Sequence, residues 1–135
     1  HLLLAFAEKH GIPVATAWTH DILASDHPLF AGRPGTIGPR AGNFCLQAAD
    51  CVVVIGSRLN IRQVSYNWDC FAKNAYIVQV DIDPAELNKP FVQAALPLVC
   101  DAKHFIAGLD QVCDDGLPNY AQWVSWCQVA PLRPG

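Results

Sequence analysis

Ala49-Asp-Cys-Val-Val-Val-Ile-Gly-Ser-Arg58 and Tyr76-Ile-Val-Gln-Val-Asp-Ile-Asp-Pro-Ala-Glu86 decide how this chain folds. Each holds a short β-branched run of the kind that forms a buried parallel strand, followed by turn residues. The first run ends in a glycine turn, Gly56-Ser57-Arg58, and the second in the acidic pair Asp81 and Asp83. In open parallel sheets ligands collect at the carboxyl ends of the strands, so these five residues are expected on one rim, as half of a dinucleotide site.

The rest of the chain alternates helix and strand around that pair. Leu2 to His10 reads as a helix, with apolar residues at 2, 3, 6 and 7 and Gly11 as its stop. Ile12 to Trp18 follows as a strand. A crossover helix needs a strand on each side, so the domain's first strand is expected upstream of residue 1. Thr19 to Pro39, punctuated by Gly32, Pro34, Gly35 and Gly38, reads as one long loop. Arg40 to Ala49 reads as helix, Cys51 to Ile55 as strand, Trp68 to Asn74 as a short helix and Tyr76 to Ile82 as strand. Asp83-Pro84-Ala85-Glu86 spells a helix start: a capping aspartate, proline at the first helical position and a carboxylate at the third. Leu96 to Cys100 is a further strand. Asp101 caps a helix running through Val112, with Gly116 beyond its end. A last helix, Tyr120 to Gln128, carries Tyr120, Trp123, Val124 and Cys127 at core spacing. The expectation is a single α/β domain, a parallel sheet flanked by helices.

The chain has 135 residues, 52% of them hydrophobic and 16% charged, enough for one domain with a core. A net charge of -3 and the lack of a Lys/Arg cluster argue against nucleic acid as a partner. No apolar run reaches the roughly 18 residues of a membrane span, and the first residues lack the pattern of a secretory signal. The reading is a soluble, unexported, cytoplasmic protein. The six cysteines, at 45, 51, 70, 100, 113 and 127, include no C-x-x-C pair, and several sit in apolar runs. They read as buried free thiols in a reducing compartment. No methionine occurs, the first residue is His1, and the chain closes on Pro131-Leu-Arg-Pro-Gly135. Both ends therefore read as cut from something longer.

Several groups compete for chemistry. Gly32-Arg-Pro-Gly-Thr-Ile-Gly-Pro-Arg40 leads into a helix start and suits a pyrophosphate cradle, although the spacing is not G-x-G-x-x-G and a plain connecting loop explains it as well. Asp81 stands outside the helix cap and suits ribose hydroxyls. Arg58 and Arg62 suit phosphate or adenine, or an ion pair with Asp81 or Asp83. The five histidines show no metal spacing, and no metal site is expected. His20-Asp21 and Ser25-Asp26-His27 contain the ingredients of a hydrolytic triad in one loop, but no G-x-S-x-G elbow accompanies them, so no catalytic residue is assigned.

Ordered segments from residue 2 to about 110 resemble a known family. Ala7-Glu-Lys-His-Gly-Ile-Pro-Val-Ala-Thr16, Asp26-His-Pro-Leu-Phe30, Gly35 through Asn43, Ala49-Asp50, Gly56-Ser-Arg58, Val80-Asp-Ile-Asp-Pro-Ala-Glu86 and Asp101-Ala-Lys103 together resemble the central domain of thiamine-diphosphate-dependent enzymes. The members in question are of the acetolactate synthase, oxalyl-CoA decarboxylase and benzoylformate decarboxylase type. The resemblance implies a three-layer, Rossmann-like sheet of the deoxyhypusine synthase type with six parallel strands, its first strand missing from this chain. It implies a parent enzyme that uses thiamine diphosphate and Mg²⁺ on a 2-keto acid. The activating glutamate would lie in a preceding domain and the Gly-Asp-Gly…Asn motif in a following one, so this domain alone would be inactive. Its partners would be those flanking domains and further copies, as a dimer or tetramer. The implied role is to scaffold its neighbours and, in some members, to hold the ADP part of FAD or free ADP. By position the groove would be lined by Gly35, Thr36, Gly38, Arg40, Gly56, Ser57, Arg58, Asp81 and Asp101. The chain departs from acetolactate synthases at Thr19-His-Asp-Ile22, at Gly32 to Gly38 and at Asn60-Ile61. Two other readings stand beside this one: a purely structural domain with a vestigial groove, and an NAD-dependent deacylase, whose Gly-Ala-Gly-x-Ser loop and paired zinc cysteines are absent here.

Overall fold

The computed structural model describes residues 2–16, 23–34, 40–57, 72–88 and 94–129, with the side chains of residues 40, 41 and 129 outside that description. Its elements run α1 (Leu2–His10), β1 (Val14–Ala15), β2 (Phe30–Gly32), α2 (Arg40–Ala48), β3 (Cys51–Ile55), β4 (Tyr76–Asp81), α3 (Pro84–Leu87), β5 (Leu96–Val99), α4 (Ala102–Val112) and α5 (Ala121–Val129). All strand pairs are parallel. The expected α/β architecture, parallel sheet with flanking helices, is what the chain adopts.

The three strands β3-β4-β5 form one sheet in that order. Cys51 through Ile55 pair in unbroken register with Tyr76 through Val80, and Val78 through Asp81 pair with Leu96 through Val99. Val80, at the centre, is 0% exposed. Val54, Ile77 and Ala72 are buried against one face, with Leu46, Val52, Ala75 and Ala94 packed around them. Pro97 opposes Gln79 in β5, which has β4 on one side only among the described residues. Proline lacks an N–H, so it is tolerated where one side of a strand needs no ladder.

A second sheet holds β1 and β2. The long loop expected from Thr19 to Pro39 is therefore interrupted by a strand. Val14 N–H donates to Leu29 O at 2.8 Å and Thr16 N–H to Gly32 O at 3.1 Å, which fixes Phe30–Gly32 alongside β1. β1 itself is shorter than the expected Ile12 to Trp18, of which residues 17 and 18 lie outside the described residues. The resemblance implied six strands in one sheet; among the described residues there are five, in two sheets with no strand pairing between them. Most of the expected helix at Trp68 to Asn74 lies outside the described residues, and Ala72 to Asn74 form a turn.

Each helix end follows its local chemistry. Gly11 takes φ +67° and ends α1. Asp101 Oδ1 accepts from Lys103 N at 2.9 Å and from His104 N at 3.4 Å, and so caps α4. Asp101→Ala leaves those two donors to water and is expected to cost about 1 kcal/mol, read as a lower urea midpoint at unchanged slope. α1 lies against α4, where Lys9 Nζ and Asp110 Oδ1 are 3.0 Å apart. The bond to Asp110 raises the Lys9 ammonium, and Lys9 in turn lowers the Asp110 carboxyl. Both side chains are solvated, so the pair orients the helices more than it stabilises them.

α5 closes the molecule over β2 and α2. Asn119 Oδ1 accepts Ala121 N–H at 2.9 Å to start it. Cys127 packs with Ala31 and Cys45, flanked by Trp123 and Trp126, whose rings stack at 5.3 Å. Trp123 packs into the core, as its spacing predicts, joined by Trp126, while Tyr120 precedes the helix. The five described cysteines are free, but burial is uneven: Cys45 and Cys127 are buried, Cys100 and Cys113 half-buried, and Cys51 exposed.

Candidate functional site

The carboxyl ends of β3, β4 and β5 are drawn into one edge by the parallel register. Ile55 is opposite Val80, and Asp81 opposite Val99. Two further bonds extend the ladder past the strands: Gly56 N–H donates to Val80 O at 2.9 Å and Cys100 N–H to Asp81 O at 3.1 Å. Gly56, Ser57, Asp81 and Asp101 thus follow or end three adjacent strands at the same rim, as expected. Gly35, Thr36, Gly38 and Arg58 lie outside the described residues, as does the Arg40 side chain; Arg40 begins α2, which packs on β2 and α5.

Gly56 turns the chain at φ +63°, a conformation that an L side chain rarely adopts. A Cβ there would meet nothing within 4 Å among the described residues, so on their side the space above the turn is open. A bare backbone facing open space at a strand end suits the close approach of a ligand phosphate.

Asp81 is 9% exposed. Its Oδ1 accepts Asp83 N–H at 2.9 Å, and Asp83 Oδ1 accepts Ala85 N–H at 2.9 Å. The sequence reading separates the roles of these two acids. The structure joins them in a relay: Asp81 shapes the turn that presents Asp83 as the cap of α3. Asp81 therefore meets the demand of the turn through one oxygen. Asp101 spends Oδ1 on α4.

One group escaped the sequence reading. Thr16, which follows β1, is 5% exposed, and its Oγ1 is a buried hydroxyl without a hydrogen-bond partner among the described residues. Burying a hydroxyl unpaired costs about 1–3 kcal/mol, which a ligand acceptor or donor would recover. Its only sequence signal is a threonine at the end of an apolar run.

Among the described residues the hydrolytic set does not assemble. His27 Nδ1 accepts Leu29 N–H at 3.1 Å, which leaves the proton on Nε2, 3.0 Å from Glu8 Oε1 of α1. His27 pins its loop to that helix. His20 and Asp21 lie outside the described residues. Among the described residues no three His, Cys, Asp or Glu side chains form a metal-holding group, and no helix is long and apolar enough to cross a membrane.

Residues 1–109 match the family model for the thiamine pyrophosphate enzyme central domain. The chain belongs to this family. Among curated relatives, the acetolactate synthase large subunit of Corynebacterium glutamicum is 41% identical over 135 residues, covering 97% of this chain and 21% of its own length. A probable acetolactate synthase large subunit of Methanococcus aeolicus is 33% identical over 133 residues, covering 90% of this chain and 22% of its own. The sulfoacetaldehyde acetyltransferase of Rhodobacter capsulatus is 39% identical over 88 residues, covering 63% of this chain and 15% of its own. The chain thus spans about a fifth of the length of the curated relatives that it matches over most of its length.

Proposed function

We propose that this central domain works within a longer thiamine-diphosphate-dependent enzyme acting on a 2-keto acid, of acetolactate synthase-like activity. It positions the flanking thiamine-binding domains and holds the ADP part of FAD, or free ADP, at the rim of β3 to β5. The observation that carries the nucleotide reading is the rim itself: an open glycine turn at Gly56, Ser57 beside it, and a buried carboxylate, Asp81, one strand away. Gly56 and Ser57 would face the diphosphate and Asp81 the ribose hydroxyls. Gly35, Thr36, Gly38, Arg40 and Arg58 complete the proposed set from sequence, together with Asp101. Thiamine diphosphate and Mg²⁺ belong to the neighbouring domains of this reading, since the chain carries neither the Gly-Asp-Gly…Asn segment nor a metal cluster among its described residues. When bound there they supply the carbanion chemistry, and this domain's residues only bind and orient. The proposed enzyme is a cytoplasmic homo-oligomer. Its coding sequence should show a glutamate-bearing domain before His1 and the Gly-Asp-Gly…Asn segment after Gly135; their absence would refute the assignment.

Titration with ADP and with FAD tests the rim. Saturable binding is expected, with a stabilisation of about 2.7 kcal/mol once ligand reaches about 100 times its dissociation constant. Asp81→Asn keeps an oxygen for Asp83 N–H but removes the charge, and is expected to weaken binding about tenfold, in line with about 1.5 kcal/mol for a hydrogen bond to a charged group. Affinity unchanged in that variant would remove Asp81 from the site. No stabilisation by either nucleotide would leave the alternative, a structural domain with a vestigial groove, which the departures at Gly32 to Gly38 and Asn60-Ile61 favour.

A further inference from the structure

The core between α2 and α5 holds two thiols 82 residues apart in sequence and in contact in the fold. Cys45 and Cys127 are each 4% exposed and share one cluster with Ala31. Cys45 Sγ lies 3.7 Å from Cys127 O and donates to it. Of the proposed nucleotide residues, the described Gly56, Ser57, Asp81 and Asp101 lie outside this buried cluster, and α5 lies beyond residue 109, where the family match ends.

We propose that Cys45 and Cys127 are an oxidant-responsive pair that closes into a disulfide tying α5 to α2, with a hydroperoxide as the oxidant. The neighbouring Cys127 lowers the Cys45 thiol, while Cys45 and burial together push Cys127 up. That asymmetry divides the labour. Cys45 sulfur attacks the peroxide; the O–O bond breaks, one oxygen stays as Cys45 sulfenic acid and the other leaves as water or alcohol with the thiol proton. Cys127 sulfur then attacks the sulfenic sulfur; the S–S bond forms, the S–O bond breaks, and hydroxide leaves as water with the Cys127 proton. Two thiols lose two electrons and one peroxide gains them. Burial means that oxidant enters only as α5 lifts, against its packing and the 2.6 Å bond from Gln128 Nε2 to Pro28 O.

The bond would close a loop of about 80 residues, long enough for a strong constraint on the unfolded chain. Treating the reduced chain with hydrogen peroxide and mapping it without reductant is expected to join the Cys45 and Cys127 peptides, with loss of two hydrogens and full reversal by dithiothreitol. The thermal midpoint should rise on the order of 10 °C on oxidation. Cys127→Ala should leave a sulfenic acid at Cys45 that a dimedone probe captures, and Cys45→Ala should show neither product. Cross-links confined to Cys51, Cys100 or Cys113, or oxidation that leaves the Cys45 and Cys127 peptides unlinked, would overturn the proposal. The peptide map of the unsubstituted chain decides this even if an alanine variant does not fold.

Discussion

Gly42→Ala is expected to lower stability by about 3 kcal/mol, roughly 10 °C in thermal midpoint, while the same change at Gly108 raises it. Gly42 lies in the first turn of α2 and is buried. A Cβ there would stand 2.7 Å from Pro34 N and 2.9 Å from both Arg33 N and Arg33 C. All three are backbone atoms of the segment leaving β2, so no side chain can rotate away. Either α2 retreats, opening the layer over Ala31 and Cys45, or the Arg33–Pro34 segment does. The helix-propensity gain of about 1 kcal/mol from glycine to alanine offsets only part of this. Gly108, exposed inside α4, faces open space. There the propensity term acts alone, and Gly108→Ala should stabilise by about 0.5–1 kcal/mol. Denaturant titrations of both variants check the contrast; a neutral Gly42→Ala would show that the close approach of α2 to the Arg33–Pro34 segment is slack.

Val80→Ala is expected to cost about 2–3 kcal/mol, the removed methyl groups leaving a void that the central strand cannot collapse to fill. Val80 is fully enclosed, opposite Ile55 on one side and Leu98 on the other. Its carbonyl also takes the Gly56 N–H. Loss of packing at this point should therefore loosen the glycine turn along with the sheet. Hydrogen exchange at the Gly56 amide, compared with that of Val78 in the same strand, is expected to speed up disproportionately; equal acceleration at both would mean that the turn is held independently of the core.

The three-stranded sheet was legible because its determinants are local. Cys51–Ile55 is a run of β-branched residues closed by a glycine that the backbone places at positive φ, and Asp83-Pro84 and Asp101 carry their caps in the sequence itself. β2 was not legible. Phe30-Ala31-Gly32 is too short to show an alternation, sits between prolines and glycines, and becomes a strand only through bonds to β1, sixteen residues earlier in the case of Val14 and Phe30. The same holds at the candidate site. Glycine and aspartate at strand ends could be read directly, but the bond from Asp83 N–H to Asp81 and the orphaned Thr16 hydroxyl exist only once the chain is folded. Gly42 makes the point most plainly: within the sequence it is an ordinary helix residue, and its necessity comes from a backbone eight residues away that presses against it.

The aspartates of the rim already act as anions seated on the helix starts. Asp83 occupies an amide of α3 and Asp101 occupies two of α4, the donors that a phosphate would otherwise seek. A diphosphate arriving at this edge would have to evict an internal carboxylate at either helix and meet its repulsion. The turn after β3 instead presents Gly56, at positive φ and with no side chain of its own. On the proposed reading, occupancy from within would set the selectivity of this edge: Asp83 and Asp101 would turn the charged end of a ligand away from α3 and α4 and leave to Asp81 only its neutral, hydroxyl-bearing part.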